Sequence, residues 1–99
     1  MVIKNIISEL RDLKNPIIKM LKKGENFQVA AIGFKKDMLL EEHKSDISAK
    51  LIVLQGKVIY KEGDQFAMMS QYDELDIPMG VTYSVRALDD SLCLLVKGE

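Results

Sequence analysis

Apolar positions recur along this chain with two different periods, and the change from one to the other comes at a proline. Ile3, Ile6, Ile7, Leu10 and Leu13 fall three and four residues apart, with Lys4, Asn5, Glu9, Arg11 and Asp12 between them. That is the spacing of one face of a helix. Asn15–Pro16 ends it, because the residue before a proline is pushed out of the α region. A helix this short is marginal alone in water, so it must dock on the domain's own sheet or on a second subunit.

From Pro16 onward the period is two. Ile17 to Lys22 reads as a short strand closed by the turn cluster Lys23–Gly24–Glu25–Asn26. Phe27, Val29, Ala31 and Gly33 then alternate with Gln28, Ala30, Ile32 and Phe34, a run that is apolar on both faces and fits a strand covered on both sides. Lys35–Lys36–Asp37 turns the chain into Met38 to Glu42. Ala49 to Gln55 is again apolar on both faces apart from Lys50, and Gly56 breaks it. Val58 and Tyr60 alternate with Lys57 and Lys61, and Glu62–Gly63–Asp64 is a turn signal. Short strands follow through Phe66 and Met68, and through Leu75 and Ile77 to Pro78. Val81 to Ala87 alternates cleanly, Leu88 to Ser91 turns, and Leu92 to Val96 closes the chain. Eight or nine short strands with compact turns and no second helical pattern predict an all-β sandwich or barrel. No internal repeat or linker divides it, so residues 1–99 form one domain, with a helical segment at 1–15 and the barrel at 16–99.

Composition narrows the classes of function. At 99 residues, 47% hydrophobic and 29% charged, the chain is globular and should bury roughly 65% of its unfolded surface. A net charge of −1 sets up no field for a phosphate backbone or an anionic bilayer, which argues against nucleic acid and membrane partners. Lys4, Glu9 and Arg11 interrupt the amino-terminal apolar residues, so no secretory signal is read there, and a cytoplasmic protein is the default. The single cysteine, Cys93, excludes an intrachain disulfide. Its apolar setting, SLCLLV, makes it a small buried hydrophobe.

Candidate chemistry concentrates in HKSDISAKLIVLQG, from His43 to Gly56. His43 and Ser45 stand two apart and share a face if extended; by the same alternation Glu41 joins them and Glu42 does not. A Ser45–His43 nucleophilic pair lacks an orienting carboxylate and an oxyanion hole. The methionines Met20, Met38, Met68, Met69 and Met79 read as fillers of irregular core gaps.

These residues carry a resemblance: the chain resembles a small single-domain bacterial cupin. That family's first motif has a glycine, two histidines two apart, a glutamate four residues on and a closing glycine. KKDMLLEEHKSDISAKLIVLQGKV lies over it, with His43 at the first histidine and Gly56 at the closing glycine. The second motif has Gly-Asp, a proline, a small residue and a third histidine. QYDELDIPMGVTYSV lies over it, with Asp73, Pro78 and Gly80 in register. The resemblance spans Phe27 to Val96 and implies a cupin-type jelly-roll β-barrel, or double-stranded β-helix, and a homodimer. It also implies a divalent metal, and there the chain departs. Ser45 stands at the second histidine, Ala49 at the glutamate and Tyr83 at the third histidine, while Asp37 and Tyr72 replace the leading glycines. A single imidazole does not make a transition-metal site, so no cofactor is predicted. The resemblance brings His43 and Tyr83 from different strands to one cavity, with Ser45, Ala49 and Glu41 as its other candidate residues. The reading favoured is a metal-free barrel that binds a small molecule or regulates. A metal-dependent or acid–base enzyme acting on a small metabolite is the alternative. A third reading is a structural dimerisation module, its interior filled by Leu51, Val53, Phe66 and Val85.

Overall fold

The computed structural model describes residues 2–9, 14–44 and 46–98, with the side chains of all of these except 7–9, 42 and 43. Among the described residues one helix, α1 (Val2–Glu9), precedes nine strands. They are β1 (Ile17–Lys23), β2 (Phe27–Phe34), β3 (Leu39–Lys44), β4 (Ala49–Gln55), β5 (Lys57–Glu62), β6 (Gln65–Ser70), β7 (Glu74–Ile77), β8 (Thr82–Ala87) and β9 (Ser91–Gly98). All pairs are antiparallel. They make a five-stranded sheet ordered β1-β2-β9-β4-β7 and a four-stranded sheet ordered β3-β8-β5-β6. The strand pattern read from the sequence therefore holds. The helical pattern at Leu10 and Leu13 lies outside the described residues. Among the described residues no helix is long and apolar enough to cross a membrane.

Alternation sorts the side chains between the sheets and their outer faces. On the inner face of the larger sheet, Val53, Cys93 and Ile32 form one cross-strand row and Leu51, Leu95 and Ala30 the next. Facing them are Val58, Tyr60 and Val85 of the smaller sheet, all buried. Fully burying an aliphatic side chain of this kind is worth about 1.5–3 kcal/mol. Ile17 and Ala31 have the opposite parity, yet they too are buried, because α1 packs on β1 and β2. Ile6 is its fully buried anchor. This covering explains why β2 is apolar on both faces.

Two expectations are corrected by parity. Phe66 does not fill the barrel: it points outward and is 66% exposed, while Ala67 and Met69 of β6 face the core. Met38 and Met69 fill core gaps as expected, but Met20, Met68 and Met79 are exposed.

Among the described residues, five have positive φ: Asp37 (72°), Gly56 (91°), Gly63 (58°), Tyr72 (72°) and Gly80 (84°). Gly63 is the β5–β6 hairpin. Asp37, Gly56 and Tyr72 fall where the resemblance places the motifs' glycines and Gly80 where it places a small residue, so the backbone takes this conformation with Asp and Tyr as well as with Gly. Two of these corners are built alike. The Asp37 N–H donates to the Ala87 carbonyl (2.9 Å), and the Ala87 N–H donates to the Met38 carbonyl (2.9 Å). The Tyr72 N–H donates to the Val53 carbonyl (2.7 Å), and the Val53 N–H donates to the Asp73 carbonyl (3.0 Å). Each clamp launches an edge strand, β3 on β8 and β7 on β4. At Gly56 the chain crosses from the larger sheet to the smaller one, and a Cβ there would collide with Ser91 Oγ and the Asp90 carbonyl oxygen. The buried Ser91 hydroxyl accepts from the Lys57 N–H (3.0 Å) and donates to the Asp89 carbonyl (2.7 Å), pinning the crossing to β9.

A non-glycine residue held in the left-handed region costs roughly 1–2 kcal/mol, less for Asp than for bulky side chains. Tyr72→Gly should therefore raise stability by about 0.5–1 kcal/mol after the added chain entropy of glycine, because the Tyr72 side chain is 75% exposed and contributes little packing. Asp37→Gly should gain less. Gly56→Ala, at the same sign of φ but with no room, should lose more than about 2 kcal/mol. Urea unfolding of the three variants checks this order.

Candidate functional site

The two sheets meet at one end of the barrel around a cavity of about 110 Å³, lined by Ile18, Met20, Gln28, Ala30, Ile32, Leu40, Tyr83, Leu95 and Lys97. Edge strand β1 forms one lip, with Ile18 and Met20 half exposed. Leu40 and Tyr83 form the floor from the smaller sheet, both buried. Cross-strand pairing organises the rim into two rows. In the larger sheet Gln28, Lys97, Ala49 and Ile77 follow one another across β2, β9, β4 and β7. In the smaller sheet the row is His43, Tyr83 and Glu62 across β3, β8 and β5. The deep end of the barrel is apolar and the open end carries the polar groups.

A register shift in β3 sets the position of His43. Leu40 pairs with Val85 and His43 with Tyr83, so three steps along β3 match two along β8. This extra residue defeats simple alternation. Glu41 does not share a face with Leu40 and Tyr83. It is exposed and lines the outer hollow of the smaller sheet with Leu39, Ser84 and Arg86. The placement of Glu41 at the cavity is thus corrected. The His43 side chain and all of Ser45 lie outside the described residues. Ala49 is buried at the rim beside Lys97, though it lines the neighbouring shallow hollow rather than the cavity itself. Of the five sequence candidates, Tyr83 lines the cavity, and the His43 backbone stands opposite it in register.

Three groups that sequence reasoning passed over belong to this end. Gln28 has the parity of Ala30 and Ile32, and Lys97 that of Cys93 and Leu95, so a polar residue within an inward-facing series was the available signal. Glu62 is the third: the Tyr60 phenol donates to its Oε1 (2.8 Å). The rings of Tyr60 and Tyr83 stack with centroids 5.6 Å apart and planes 27° from parallel. Burial is the main cause that raises both phenols above their ordinary range, and Glu62 pushes Tyr60 further in the same direction. Burial also pushes the Cys93 thiol up to about 12. Cys93 is fully buried and behaves as the expected hydrophobe.

Of the four positions at which the resemblance implies metal ligands, Ala49 and Tyr83 have described side chains, and neither suits a divalent ion. At the family's ligand positions Ala49 offers a methyl group, and Tyr83 offers a phenol that burial keeps protonated. Lys97 is the cross-strand neighbour of Ala49, so a basic residue stands beside the position where the resemblance implies a carboxylate.

The chain superposes closely on cupin structures. An RmlC-like cupin protein from Desulfovibrio desulfuricans matches with a TM-score of 0.79 and 22% identity, over 85% of this chain and 82% of that one. A cupin superfamily protein from Desulfitobacterium hafniense matches with a TM-score of 0.81 and 15% identity, over 93% and 86%. An RmlC-like cupin family protein with a double-stranded β-helix fold from Methanocaldococcus jannaschii matches with 0.78 and 20%, over 89% and 84%. No protein-family model and no curated protein matches the sequence. The fold is of cupin type, and at these identities the likeness shows the fold alone.

The raised thiol and phenols make a prediction for alkaline pH. A group that keeps its proton longer when folded leaves stability unchanged below its unfolded pKa and removes it as the pH climbs above that value. Stability should be level up to pH 9.0, the ordinary thiol value, and then fall toward pH 12. In Cys93→Ala the onset should move up to the ordinary tyrosine value of 10.0. Thermal midpoints recorded across this range check it, and an onset that the substitution does not move would contradict the assignment.

Proposed function

We propose that this cupin-type barrel binds a small molecule without a metal, in the cavity floored by Tyr83. The observation that carries the reading is the cavity's lining: one deeply buried phenol and two polar rim groups, Gln28 and Lys97, over six apolar side chains. Ligand sites have this composition, mostly apolar with a few placed polar groups. The volume sets the scale. An apolar cavity of about 150 Å³ accepts benzene, so about 110 Å³ suits a body of four or five carbons. The deep core is filled by Leu51, Val53 and Val85, which confines binding to the open end. Metal-dependent chemistry receives no support from the donor set described above.

A neutral probe tests the cavity. Isobutanol should shift the amide resonances around Leu40 and Tyr83 saturably, and Ala30→Leu, which fills the space, should abolish the shift while the fold persists. Shifts that never saturate, or that survive the filling, would sink the reading. Elemental analysis of protein purified without chelator should give well under one equivalent of Mn, Fe, Ni or Zn; a full equivalent would refute the metal-free part.

The outer face of the smaller sheet supports a homodimer beside this reading. Leu39, Arg86, Ile59 and Met68 form one outward row across all four strands. In the next row Lys61 lies over the Phe66 ring, 5.4 Å from its centroid. Leu39, Phe66 and Met68 are exposed, with Glu41 at one edge and Lys61 and Arg86 toward the centre. Under a two-fold axis that runs parallel to the sheet between two faced copies, the acidic edge of one copy covers the basic centre of the other, so the surface is complementary to itself. Light scattering should report twice the 11.2 kDa chain mass, and Phe66→Glu should halve it. A monomeric wild type, or a variant that stays dimeric, would rule this face out.

A further inference from the structure

The charge at the rim narrows what the cavity takes. Lys97 is the only charged side chain among the described residues that line it. Among the described residues no carboxylate forms an ion pair with its ammonium, whereas Lys50, on the outer face of the same sheet, is held by Glu74 at 3.1 Å and Asp76 at 3.7 Å. Gln28 is its cross-strand neighbour on β2 and adds amide donors to the same rim. Glu62, the acid nearest in register to Tyr83, stands on β5, accepts the Tyr60 phenol and is not part of the lining. His43 is opposite Tyr83 in register on the other side.

Resting on the cavity reading above, we infer that the site selects a short-chain monocarboxylate. The carboxylate lies at the rim against Lys97 and Gln28, and an apolar tail of four or five carbons enters between Ala30, Leu40 and Leu95 above Tyr83. A lysine at the rim of an apolar recess favours this head and tail over either alone. The charge-assisted bonds to the carboxylate are stronger than those a neutral amide offers, and an amine is repelled.

Titration with pentanoate, pentanamide and pentylamine, followed by amide resonances, tests this on the intact protein. Pentanoate should bind at least about tenfold more tightly than pentanamide, and pentylamine more weakly than both. Lys97→Met should abolish the preference, weakening pentanoate far more than pentanamide until the two bind about equally, while Lys97→Arg keeps the preference. Equal binding of pentanoate and pentanamide, or a Lys97→Met protein that still prefers the acid, would overturn the charge selection and leave the cavity reading intact. Saturable binding of none of the three would overturn both.

Discussion

The structure depends on two left-handed corners. Each sheet ends on one side in a strand that has a single neighbour, and such a strand is kept in register only by what happens where it begins. At Asp37 and at Tyr72 the backbone takes a positive φ, and two hydrogen bonds bracket one residue of the neighbouring strand, Ala87 in one sheet and Val53 in the other. The clamp determines which residue of β3 meets which residue of β8, and likewise for β7 on β4. The two edge strands carry these registers toward the open end: β3 runs from its corner, through the shift after Leu40, to His43, and β7 runs from its corner to Ile77, which pairs with Ala49. These corners are held by backbone hydrogen bonds at the turns, so the frame does not depend on which side chains the strands carry at the open end.

The interior divides along the strand direction. Its deep rows are aliphatic and close-packed around Val53, Cys93 and Val85, and the open end carries the phenols of Tyr60 and Tyr83, the carboxylate of Glu62 and the ammonium of Lys97. The Tyr60 phenol is acceptable there because it donates to the Glu62 carboxylate, since an unsatisfied hydroxyl would cost about 1–3 kcal/mol; the Tyr83 ring stacks against it. Each sheet also has a different outer covering. The larger one is partly roofed by α1, while the smaller one presents Leu39, Phe66 and Met68 to solvent.

Most of the fold was legible in the sequence because strand burial has a period of two and the turns carry their own residues. What failed did so where pairing, rather than spacing, decides. Glu41 was assigned to the His43 face by alternation along β3, and one extra residue between Leu40 and His43 moves it outside. Phe66 and Met68 are apolar at outward positions of β6, which no pattern within that strand distinguishes from inward ones. Lys97 lies just past the last apolar residue of the final run, and its neighbours Gln28 and Ala49 are 69 and 48 positions away by number. Only the sheet order β2-β9-β4 brings the three together.

Strand β1 is a wall of the cavity and the outermost strand of its sheet. It is hydrogen-bonded on one side only, to β2, and its own pairing is interrupted between Met20 and Lys22. Segments of this kind open by local fraying, at a fraction of the free energy of global unfolding. A molecule lodged beneath Ile18 and Met20 is thus retained by the part of the barrel that is easiest to part. Its residence time is governed by how often the edge peels back, and the amide-exchange rates of β1 are the clock for its escape.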